Sequence, residues 1–182
     1  MDLETTGLDP RKDDILEVAF AIADLSRPFH LLDSIKSWVT IYRWDSAYWD
    51  PKVRAMHTEN GLIAEATRST TYVNQVEREL LPLVPLEADY NDKPVLAGSS
   101  VHFDLSFLRN CMPSLAMRLS HRTYDVSAVK LFCRSLGMPK LPRAEAHRAS
   151  ADILESIVHA QSCVEWLTQR CYPPRVTIYE AT

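Results

Sequence analysis

No stretch of this 182-residue chain approaches the roughly 18 consecutive apolar residues of a membrane span. Nor does a basic segment lead into an apolar one, the pattern of a secretory leader, so a cytoplasmic protein without membrane association is expected. The four cysteines, Cys111, Cys133, Cys163 and Cys171, lack CxxC spacing. That argues against both a zinc site and a disulfide framework. Three of them fall in apolar, helix-like patterns, so reduced and mostly buried thiols are expected. Internal repeats and low-complexity tracts are missing, and so is any long basic track suited to extensive duplex binding.

What is present is ordinary for a globular protein: 46% hydrophobic and 24% charged residues, enough for one compact domain over 1–182. The net charge of −4 is unevenly spread. Residues 1–108 carry 10 Lys/Arg against 18 Asp/Glu, whereas 109–148 carry 8 against only Asp125 and Glu145. An acidic half suited to cations therefore precedes a basic segment that could hold phosphates, although charge runs are often only solvated surface.

Apolar, β-branched and aromatic runs predict strands at 15–25 and 35–43, paired antiparallel through a short connection containing Pro28. Helices are expected over 51–66, 71–84, 101–112 and 127–137, the last capped by Gly137, and from about 146 to 170. Short strands are expected at 94–98 and 123–126, with a proline-bearing loop at 138–144. The result is an α/β fold, a mixed central sheet flanked by helices.

Chemistry concentrates in three blocks: DLETTGLDP at the start, AGSSVHFDLSFL around Asp104, and HRASADILES with His147 and Asp152. On a strand, Asp2 and Glu4 at i, i+2 face the same side. Four carboxylates suit hard Mg²⁺ or Mn²⁺, two of which, about 3.5–4 Å apart, can clamp the attacking and leaving oxygens of a phosphodiester. The five-residue spacing of His147 and Asp152 does not match one helix face. His147 is therefore expected at the helix start, with Asp152 a turn further in. Histidine titrates near neutral pH and suits a general base toward water. Singly, each of these residues could be surface or capping chemistry; Asp104, for example, could simply favour a helix N-terminus.

These blocks, with HTENGL (57–62) and YDVSAVK (124–130), resemble the DEDDh superfamily of 3′→5′ exonucleases, and within it the oligoribonuclease branch. The resemblance spans nearly the whole chain. It implies an RNase H-like fold and a site with two Mg²⁺ or Mn²⁺ ions held by Asp2, Glu4, Asp104 and Asp152, with His147 as base. It also implies a cap on the substrate's 5′ phosphate from His57, Ser100, Arg122 and Ser127, and an apolar wedge from Leu8. Without it, Ser100 and Ser127 read equally well as helix N-caps. Two positions depart from the branch: its base-stacking tryptophan falls on Lys52, with Trp49 three residues away, and an aromatic supplied by a partner subunit falls on His121. Trp38, Trp44 and Trp166 read as packing, His30, His102 and His159 as surface residues, and Met112, Met117 and Met138 as filler near helix ends.

The resemblance thus implies hydrolysis of short single-stranded RNA from a free 3′ end, by a homodimer. The alternatives are the same chemistry on longer single-stranded DNA or RNA ends, and an inactive nucleic-acid-binding module. Only Met1 precedes Asp2, so the first strand is expected to be truncated, with a native chain beginning several residues upstream.

Overall fold

The computed structural model describes residues 1–24, 29–42, 49–86, 89, 92–143 and 147–171. Five strands come first: β1 Asp2–Thr5, β2 Ile15–Phe20, β3 Ala23–Asp24, β4 His30–Leu31 and β5 Lys36–Val39. β2 lies between β1 and β5 and pairs antiparallel with both. Its ILEVAF run is buried on both faces, as a central strand requires; Glu17, 1% exposed, is its one charged residue. The expected 15–25 strand ends at Phe20, because the chain leaves this sheet and Ala23–Asp24 pairs with β4 instead. β5 likewise stops at Val39, and Ile41 and Tyr42 donate to the carbonyls of Thr71 and Ala66. Arg43 and Trp44 lie outside the described residues.

The expected 51–66 helix is two helices, α1 Pro51–Glu59 and α2 Leu62–Arg68. Asp50 caps the first, accepting from Lys52 and Val53 N–H. The break falls at Asn60-Gly61, where Gly61 takes a left-handed φ of 80° that costs a residue without Cβ little. Asn60 Oδ1 then accepts from Leu62 N–H at 3.0 Å, opening α2. α3, Val73–Leu80, is shorter than the 71–84 pattern: Gln75 binds back to Tyr72 N–H at its start, and a 3₁₀ turn, Leu81–Leu83, follows it.

β6 Leu96–Gly98 and β7 Thr123–Asp125 pair in parallel, which makes the overall strand pairing mixed. Between them lie α4 His102–Cys111 and α5 Pro113–Arg118. α5 was not expected from the sequence; Pro113 opens it, and Met112 is fully buried at the junction, filling the core where the two helices meet. Met1 N donates to Ala97 O at 3.0 Å, so β6 lies beside β1. The approach needs Gly98, since a Cβ there would stand 2.8 Å from Met1 O.

α6 Val126–Ser135 ends as expected at Gly137, whose φ of 97° completes paired bonds from Gly137 N–H to Arg134 O and Met138 N–H to Cys133 O. α7, Ala149–Cys171, is the long last helix. One core joins Leu3, Ile15 and Val18 to Val76 and Leu80 of α3 and to Phe107, Leu108, Met112 and Leu115 of α4 and α5. Elsewhere Ala19 packs on Ala149 and Ile153 of α7. Cys133 and Cys163 are buried free thiols and Cys111 a half-buried one; the Cys171 side chain lies outside the described residues. No helix among the described residues is long and apolar enough to cross a membrane.

Candidate metal centre

The β1–β2 register sets Asp2 opposite Ala19 and Glu4 opposite Glu17. Directly opposed residues share a sheet face, and here Ala19 shows that it is the face α7 covers. Asp152 comes from the first turn of α7. One carboxylate oxygen from each of Asp2, Glu4 and Asp152 lies within 4.8 Å of the other two. Asp104, on α4 and 3% exposed, stands outside that triad but repels Asp2 and accepts a hydrogen bond from Leu3 N–H.

Burial first, then repulsion from Asp104 and Asp152, pushes the Asp2 carboxyl up to about 8. Burial, Asp2 and Asp152 push Glu4 up to about 9, and burial raises Asp104 to about 7. His57 Nε2 sits 3.6 Å from Glu4 Oε2, but burial lowers its pKa, so it stays neutral and offsets none of this charge. Clustered, buried oxygen donors that resist ionising together fit divalent Mg²⁺ or Mn²⁺, which supplies the missing positive charge.

A pH dependence follows. These three carboxyls titrate higher folded than unfolded, so between about pH 4 and 9 the folded, metal-free protein binds more protons. Their contribution to stability is complete below that window and is lost as pH rises through it. The Tm of chelated protein should therefore carry a component that falls toward pH 9, and Mg²⁺ or Mn²⁺ should raise Tm most at the alkaline end. Calorimetry in buffers of different ionisation heat should show proton release on metal binding near pH 7. Binding without proton release would contradict this picture.

His147 precedes α7 in a left-handed conformation, φ 44°, and lines one cavity of about 540 Å³ with Asp2 and Asp152. Its backbone is fixed from two sides. Asn60 Nδ2 donates to His147 O at 2.6 Å. Arg148 binds Glu17 through Nε and Nη2 at 3.0 and 3.1 Å, and Glu65 through Nη1 and Nη2 at 3.0 and 2.9 Å. Ala149 N–H also donates to Glu17, at 3.0 Å. The sequence reading missed these positioning residues. Their signals were a glutamate inside the apolar run ILEVAF, and an arginine directly after the candidate base.

The expected substrate residues divide. Leu8 is 79% exposed on the β1–β2 turn, below which Asp13 packs where a Gly7 side chain would be. Ser100 and Ser127 meet at the same cavity, Oγ to Oγ 3.3 Å, and Asp125 accepts from both backbone N–H groups. Neither caps a helix: Val101 and Asp125 hold the N-cap positions of α4 and α6. Arg122 and His121 are exposed between α5 and β7 and are not among the residues lining this cavity. His57 does not present a donor at the surface. It is 1% exposed, its Nε2 is 3.1 Å from Thr5 O, and its Nδ1 has no hydrogen-bond partner among the described residues. Trp49 does not replace the stacking aromatic either; it is 8% exposed and donates to Tyr42 Oη at 2.5 Å, while Lys52 is exposed. His159, expected at the surface, is 4% exposed.

An acidic cluster of oxygen donors on strands of mixed pairing, flanked by helices, is consistent with an RNase H-like fold. Residues 1–158 match the RNase_T exonuclease family, and the chain belongs to it. Among similar proteins are the mitochondrial oligoribonucleases of Bos taurus and Homo sapiens, each 35% identical over 180 residues, covering 88% of this chain and 69% of theirs. An oligoribonuclease of Corynebacterium diphtheriae is 35% identical over 162 residues, covering 86% of this chain and 76% of its own.

Proposed function

We propose that this exonuclease releases 5′-mononucleotides from the free 3′ end of short single-stranded RNA. Asp2, Glu4, Asp104 and Asp152 hold two divalent ions, Mg²⁺ or Mn²⁺, and His147 is the general base. The observation that carries the reading is the convergence of Asp2, Glu4 and Asp152 within 4.8 Å, on the cavity that His147 also lines. Bound cations would supply the positive charge that orients and polarises the phosphodiester. His147 takes the proton of the attacking water; Asn60, Glu17 and Arg148 hold its backbone for that transfer. Ser100 and Ser127 offer hydroxyl donors to the substrate's 5′ phosphate, and Leu8 wedges against its bases. Arg122, His57 and His121 join the substrate site only if RNA binding or a second subunit reshapes it.

A second reading, trimming of longer RNA or DNA 3′ ends, is favoured by the buried Trp49 and the exposed Lys52, which leave no stacking ring at that position. Digestion of 5′-labelled RNA and DNA of two to about twenty nucleotides separates the two. Preference for RNA of two or three nucleotides supports the first reading; faster cleavage of the long strands supports the second. The homodimer and a cytoplasmic location are part of the same proposal. Light scattering tests the dimer, and cell fractionation the location, which matters because the Bos taurus and Homo sapiens relatives are among those named mitochondrial.

A further inference from the structure

The cavity does not end at the catalytic carboxylates. One face of α6 lines it through Ser127, Lys130 and Arg134, at the i, i+3, i+7 spacing of a single helical stripe. Lys140 and Arg143 line it from the loop after α6. Along α6, Lys130 and Arg134 continue past Ser127, and Lys140 lines the same cavity, whereas the Arg143 charge acts on Asp152.

Lys130 is preorganised. Its ammonium lies 3.1 Å from Nδ1 of the buried His159, whose Nε2 meets Pro142 O at 2.8 Å. The imidazole donates to Pro142 through Nε2–H and accepts from Lys130 at Nδ1, so one ring fixes both the helix cation and the loop that carries Lys140 and Arg143. Glu155 Oε1, 3.6 Å from Nδ1, lines the cavity as well and acts electrostatically on Asp152. A positioned ammonium, with a guanidinium lining the same concave site, suits phosphoryl oxygens.

We propose that this basic wall is a second anion subsite, which takes phosphoryl groups on the 5′ side of the phosphate held by Ser100 and Ser127. The proposal rests on the short-RNA reading above. Its ligand is either the outer phosphates of a 5′-triphosphorylated dinucleotide or the additional 5′ phosphate of a trinucleotide. The basic segment found in the sequence thereby acquires a role that the carboxylates and the serine pair leave unfilled.

The test compares kcat/KM at low salt for three RNAs: a 5′-monophosphorylated dinucleotide, its 5′-triphosphorylated form, and a 5′-monophosphorylated trinucleotide. Each is run with the intact chain and with Arg134→Gln and Lys140→Gln, both at exposed positions. The expected result is a preference of roughly tenfold for one of the phosphate-extended substrates that weakens as salt rises. That ratio should fall toward one in the variants, and the favoured substrate identifies the source of the phosphate. Equal values for all three RNAs, or a preference unchanged in both variants, would overturn the subsite while leaving dinucleotide hydrolysis standing. Failure to cleave the dinucleotide at all would instead defeat the short-RNA reading and the subsite with it.

Discussion

Replacing Asp152 by Asn is expected to lower kcat by about 10³-fold or more, while raising the Tm of the metal-free protein at pH 8. Loss of a ligand removes cation charge stabilisation worth several kcal/mol in the transition state, and each 1.36 kcal/mol is tenfold in rate. The stability gain has a separate cause. Burial raises all three carboxyls of this cluster, and the Asp152 charge raises Asp2 and Glu4 further. A neutral amide relieves that repulsion when no metal is present, and it should also remove most of the Tm rise that Mg²⁺ or Mn²⁺ produces. Activity within tenfold of the parent would show that Asp152 is no ligand. A lower Tm without metal would show that the cluster is not under electrostatic strain.

Arg148→Met should have the largest effect on folding. It leaves Glu17, 1% exposed, with a single backbone donor, and frees the chain that carries His147. Removing one partner of a buried ion pair typically costs about 3–5 kcal/mol, here a fall of roughly 10 °C in Tm. Arg148→Lys should recover little, because an ammonium cannot bridge Glu17 and Glu65 with a planar fork. In Arg148→Met below its melting point, kcat should fall further than metal affinity, since the variant loosens the base and leaves the carboxylates in place. Equal losses in kcat and metal affinity would reduce the clamp to a purely structural role.

Sequence pattern carried most of this fold because most elements announce themselves locally. ILEVAF reads as a buried strand from its apolar run, and the helix before Gly137 ends where glycine permits a left-handed turn. What pattern missed depends on partners distant in sequence. Nothing local shows that Ala23–Asp24 leaves the sheet for β4, that Asn60-Gly61 breaks a helix to reach His147, or that the six residues beginning at Pro113 form α5. The site divides in the same way. Asp2 and Glu4 share a face by strand geometry alone, and three of the four expected ligands converge. The burial of His57, Trp49 and His159 depends on tertiary packing, and a phosphate-binding His57 or a surface His159 implies more exposure than either has.

The central claim is that Asp2, Glu4 and Asp152, with Asp104 beside them, hold a pair of cations. Anomalous scattering from crystals grown with Mn²⁺ tests it most directly. Two peaks about 3.5–4 Å apart are expected, within ligand distance of the Asp2, Glu4 and Asp152 carboxylates. Fully occupied Mn²⁺ elsewhere on the molecule, with none among these carboxylates, would contradict it.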